Sequence, residues 1–192
     1  MRPLRAALAS TSAALLLACA TQPRSGAADP LSAAPGPAAA CAGAIPPGLA
    51  VPPGHELGFA LRAEGVQIYA CASGASGPAW TLKAPEARLL DPTGAPAGRH
   101  FAGPTWEASD GSQVVGAKVE GASPDPAAIP WLLLRAVSHA GAGRMADVAL
   151  VQRVGTSGGL APAGGCDPAS GAAEARVPYT ATYCFYRKAG AP

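Results

Sequence analysis

Leu57, Phe59 and Leu61 alternate with Gly58, Ala60 and Arg62, the two-residue period of a strand that turns one face to a core and the other to solvent. Glu64-Gly65 follows as a predicted tight turn, and Val66, Ile68 and Ala70 against Gln67, Tyr69 and Cys71 make the return arm. Residues 57–71 are therefore predicted to form a hairpin. The same period predicts strands at 79–83, at 112–120 with Val115, Ala117 and Val119 facing inward, at 145–154, and at 181–187. Residues 131–138 differ. The run "IPWLLLRAV" is apolar on both faces, which predicts a central strand covered on both sides, with Pro130 where no ladder hydrogen bond is needed. Short strands separated by Gly and Pro clusters predict an all-β, mainly antiparallel fold. It would be a sandwich or barrel-like single domain with two long loops, 85–111 and 155–177.

Composition changes this picture at the N-terminus. Arg2 and Arg5 precede an apolar stretch from Leu8 to Ala18, the pattern of an export signal and too short for a permanent bilayer span. "LLAC" resembles a lipoprotein box, which would make Cys19 the lipidated N-terminus of the mature chain; cleavage after Ala20 would instead release a soluble protein. The expected organisation is a signal at 1–19, an Ala/Pro/Gly-rich spacer at 20–53 and one β-rich domain at 54–189. The expected location is the bacterial envelope, as an outer-membrane lipoprotein facing the periplasm, or the periplasm or exterior if Cys19 is lost.

Charge narrows the partners. Loss of Arg2 and Arg5 from 14 basic residues leaves 12 against 12 acidic ones. A neutral surface offers nucleic acid no counterion release and anionic lipid no polybasic grip, so membrane contact is expected only through the lipid anchor. Four further cysteines, Cys41, Cys71, Cys166 and Cys184, lack metal-binding spacing, and in an exported chain they point to two disulfides. No cofactor or metal is expected. "GAGRMA" (141–146) matches a dinucleotide fingerprint, but the two-residue period after it leaves no place for the required helix, so it is predicted to be a hairpin turn.

Candidate chemistry gathers in "HFAGPTWEASDG" (100–111). Asp110-Gly111 fits a turn, which leaves His100, Trp106 and Glu107 as side chains that turn geometry does not explain and as the candidate ligand site. Trp131 is expected in the core; Trp80 is ambiguous. His55, His100 and His139 are too scattered to predict a metal centre, and no serine-nucleophile, Walker or zinc-helix motif occurs. The expected function is therefore a non-enzymatic module binding a small molecule, a glycan or an envelope component. An enzyme using His100, Glu107 and Asp110, or a structural or assembly protein of the envelope, are the alternatives.

The segments "GVQIYAC", "HFAGPTWEASDGSQVVG", "IPWLLLRAVSHAGAG", "VQRVGTSGGLAPAGGCD" and "RVPYTATYCFY" resemble the successive signatures of an uncharacterised, domain-of-unknown-function family of exported bacterial and fungal proteins, over residues 51–187. Fungal members are sometimes labelled malate dehydrogenase, a label these residues do not support beyond the turn-like "GAGRMA". The resemblance implies a location and a domain boundary but no activity. It also implies a Cys71–Cys166 bridge and leaves Cys41 and Cys184 as the other pair, a local addition because family members often carry an aromatic at the position of Cys184.

Overall fold

Alternation runs without a break from His55 to Gly74, and the whole stretch is one strand, β1. The structure, a computed structural model, describes residues 36–75, 77–168 and 174–190; the segment expected as a signal, with Cys19, lies outside them. Glu64-Gly65 is not a turn. Gly65 lies in mid-strand opposite Ala87, where a Cβ would come within 2.1 Å of the Glu86 carbonyl oxygen and 2.5 Å of the Ala87 Cα. Backbone approach, not reversal of the chain, is what requires glycine there.

Seven further strands follow: β2 (Gly77–Leu90), β3 (Pro96–Phe101), β4 (Thr105–Ala108), β5 (Gln113–Ala122), β6 (Trp131–Ala140), β7 (Val148–Gly158) and β8 (Glu174–Lys188). Each pairs antiparallel with the next, and β8 pairs back onto β1, which closes an eight-stranded barrel. The all-β, antiparallel, barrel-like expectation is met. The predicted loop 85–111 is a correction, since it holds the end of β2 and all of β3 and β4. Its inward positions, Ala87, Leu89, Ala97, His100, Trp106 and Ala108, mix small, polar and aromatic side chains, so the apolar period is hidden. The second predicted loop shrinks to the stretch between Gly158 and Glu174, stapled by the Cys71–Cys166 disulfide.

An eight-stranded barrel has an interior just wide enough for side chains to fill, so large residues must face small ones. Trp106, Tyr183 and Phe185 pack against Ala63, Ala87, Ala97 and Ala108 in one core. The inward face of β5 follows this rule and reverses the sequence expectation. Val114 is fully buried, Val119 is half exposed, and Gly116 stands where a Cβ would lie 3.0 Å from the Trp106 ring. The glycine makes room for the indole, and a pattern scored on apolar residues misses it. "GAGRMA" forms the irregular connection between β6 and β7, and its Met145 is buried in the core.

A second apolar cluster lies outside the barrel wall. Helix α1 (Pro37–Cys41) and the 3-10 turn Pro47–Leu49 cover Ala60, Leu133, Leu150, Val154, Cys184 and Tyr186. Leu49 is fully buried there, which contributes about 1.5–3 kcal/mol. The Gln152 amide donates to the Leu49 carbonyl at 2.7 Å, and Cys41 is bonded to Cys184 with Cα atoms 5.9 Å apart. Residues 36–53, expected as spacer, therefore pack on the domain, and the strand apolar on both faces is explained: Leu134 faces the barrel core, Leu133 this outer cover.

Gly65→Ala should destabilise the chain by about 2 kcal/mol or more, since the barrel has to open locally to admit one methyl group. Urea unfolding checks this, and an unchanged midpoint would show that β1 and β2 can move apart freely.

Candidate functional site

Of the two ends of the barrel, one contains the polar interior. Gln67 and Tyr69 enter it from β1, His100 from β3, Arg153 from β7, and Tyr179 and Tyr183 from β8. A cavity of about 240 Å³ is lined by Gln67, His100, Leu132 and Arg153, by Leu82 to Pro85 of β2, and by the Gly103-Pro104 turn. β2 and β3 lie across the ring from β6 and β7, so a cavity lined by both pairs spans the barrel mouth.

His100 is almost wholly buried; its ring stacks on Trp106 with centroids 4.5 Å apart and packs beside Tyr183 at 4.9 Å. Its Nδ1–H donates to the Thr105 carbonyl at 2.8 Å, across the tight β3–β4 hairpin, which leaves Nε2 as the basic nitrogen. Burial pushes its pKa down to about 3; the Thr105 carbonyl works against this and the Arg153 charge adds to it. The ring is neutral at physiological pH. Burial likewise raises the Tyr69, Tyr179 and Tyr183 hydroxyls, so these remain donors, and Tyr69 donates to the Gly159 carbonyl at 2.6 Å.

Arg153 is a guanidinium drawn into this end of the barrel. Its Nε donates to the Pro130 carbonyl at 3.0 Å, and its charge counters the rise that burial gives the Tyr183 hydroxyl. Among the described residues no carboxylate pairs with it. Gln67 is 1% exposed, and its Nε2 has no hydrogen-bond partner; the same holds for the indole N–H of Trp106 behind His100. A buried amide left unsatisfied is expensive, roughly 1–3 kcal/mol, and native proteins seldom keep one without a use for it.

The three candidates from the sequence are not brought together. His100 and Trp106 are cross-strand partners facing inward, whereas Glu107, one residue on, faces outward. On the outer wall Glu107 accepts two hydrogen bonds from Arg99, at 2.9 and 3.0 Å, and one from Gln113 at 2.6 Å; Arg99 above all holds its carboxyl below the usual range. Asp110 caps a turn. It accepts the Ser112 N–H and hydroxyl and the Arg144 N–H, chiefly the Ser112 hydroxyl lowering its pKa to about 2. The enzyme alternative thus loses its constellation: one inward neutral base, one outward ion pair and one turn cap. His55 and His139 border a separate surface groove, and Trp80 donates its indole N–H to the Gly164 carbonyl, away from this cavity. Gln67 and Arg153 were missed. The signal was present in "VQRVG", where a polar pair interrupts an apolar strand and the period of two must place one of the pair inside.

A family model described as "Protein of unknown function (DUF3455)" matches residues 52–187. No curated protein and no solved structure matches the chain.

The buried neutral His100 makes stability depend on pH. In the unfolded chain a histidine binds a proton near pH 6.5, whereas in the fold His100 does so only near pH 3. Between these values the unfolded state takes up the extra proton. Stability should therefore fall as pH drops below about 6.5, by up to about 1.4 kcal/mol per pH unit. His100→Gln keeps a donor for Thr105 and should flatten the slope between pH 6.5 and 5 in urea unfolding; an identical slope in the variant would assign the effect elsewhere.

Proposed function

The chain belongs to this family of proteins of unknown function, and we propose that its barrel is a non-enzymatic module that binds a small molecule at the mouth framed by Gln67, His100 and Arg153. The observation that carries this is the buried Gln67 amide, unpartnered at the wall of a cavity that also holds a cation with no carboxylate. Such groups lower the stability of an empty barrel and become favourable once a ligand satisfies them. The His100–Trp106 stack forms a rigid floor, because the Thr105 carbonyl fixes the imidazole and Gly116 seats the indole. His100 here shapes and orients; among the described residues no carboxylate and no second imidazole lines the cavity with it.

The same reading includes export and tethering through Cys19. Two disulfides support an oxidising compartment, and the lipoprotein box at Leu16–Cys19 supports a lipid anchor upstream of the packed segment. An envelope protein with a closed barrel and a neutral surface suits capture of a small solute better than attachment to a polymer.

Thermal shift of the purified full chain against a panel of small envelope metabolites and short glycans tests the binding reading. A ligand at a hundred times its Kd should raise the Tm by about 5–10 °C, and the shift should be lost in Arg153→Met. A panel without any stabiliser would count heavily against it. Separately, Cys19→Ser should move the protein from the membrane fraction to the soluble one; retention on the membrane would refute the lipid anchor.

A further inference from the structure

The unpartnered buried polar atoms at this mouth are donors, beside the one acceptor that the neutral His100 ring presents in Nε2. Gln67 Nε2 is a donor without a partner, and the Arg153 guanidinium has five N–H groups, of which Nε is taken by the Pro130 carbonyl. Trp106, behind the cavity wall, adds another unpartnered donor. Among the described residues no carboxylate lines the cavity. Lys83, the other cation on its rim, is already paired with Glu174. The unfilled demand is therefore for an acceptor carrying one negative charge. Around it the wall is apolar: Leu82, Ala84, Pro85, Pro104 and Leu132. The volume of about 240 Å³ is that of about eight waters at ~30 Å³ each.

Resting on the binding reading above, we infer that the ligand is a small monocarboxylate with a short apolar body, its carboxylate held by Arg153 and Gln67 and its body against Leu82, Pro104 and Leu132. A single guanidinium without a counter-charge matches a monoanion. A phosphate dianion would leave an uncompensated negative charge in a half-enclosed cavity, and an amine would meet Arg153 with like charge. The Arg153 fork is anchored at Nε, so its terminal nitrogens are oriented before the ligand arrives. Gln67 supplies the second donor from β1, which with β7 flanks β8 on the same side of the ring. An amide buried without a partner at a cavity wall is favourable only when a ligand accepts from it.

Calorimetric titration of the full chain with hexanoate, 1-hexanol, hexylamine and inorganic phosphate separates the possibilities, because these probes share a body or a charge but not both. Hexanoate should bind at least about tenfold more tightly than hexanol, and hexylamine and phosphate should not bind. In Arg153→Met the preference for hexanoate over hexanol should vanish. Gln67→Met should weaken hexanoate about tenfold while the Tm stays the same or rises, a combination that a merely structural glutamine would not produce. Hexanol or hexylamine binding as tightly as hexanoate, or phosphate alone binding, would overturn the carboxylate assignment and leave a binding barrel of other specificity. No heat with any of the four probes would overturn the assignment as well, whereas the binding reading itself fails only with the broader panel. Should either variant misfold, the comparison of the four probes on the unaltered chain still decides.

Discussion

Closure of the sheet, with β8 paired along β1 from Lys188 opposite His55 to Glu174 opposite Ala70, is the constraint on which the rest of the structure depends. It leaves no free edge, and it fixes the interior at a width that eight strands allow. Every inward position is then a choice between bulk and emptiness. The aromatic residues Trp106, Tyr183 and Phe185 take up most of the space, and alanines or glycines stand opposite them. The high Ala and Gly content, which looks like a compositional bias in the one-dimensional chain, is in part the geometry of a narrow barrel.

The same narrowness explains why the interior is not uniformly apolar. Phe185 and Met145 fill one end, while the other end receives Gln67, His100 and Arg153, of which Gln67 keeps its Nε2 without a partner. A barrel held by closure, two disulfides and an apolar outer cover can tolerate a few kcal/mol of unsatisfied polarity at its mouth. Stability and candidate function are thus divided along the barrel axis rather than between core and surface.

Strand class, disulfide content and the turn role of Asp110 were legible because each rests on local chemistry: a period of two, an even cysteine count, an Asp-Gly before a strand. The errors came where a glycine or alanine did the packing. Gly65 looked like a turn and is a close crossing; Gly116 hid the inward face of β5; alanines on β2 to β4 made strands look like a loop. At the site, His100 and Trp106 stood out by residue type, but Glu107 was grouped with them by proximity in sequence, although adjacent strand residues face opposite sides. Gln67 and Arg153 could be recognised only once closure showed which face of β1 and β7 was inside.

The outer cover changes how the chain is attached to itself. Residues 37–49 lie on the wall, and Cys41 is joined to Cys184, four residues before the end of β8 and 143 positions away. A pull on the chain ahead of Gly36 therefore reaches the barrel through sulfur at β8, and only secondarily through the first residues of β1. Load enters at a strand held on both sides by β1 and β7. The segment that leads into the first strand is thus bolted to the last one, across the seam at which the barrel closes.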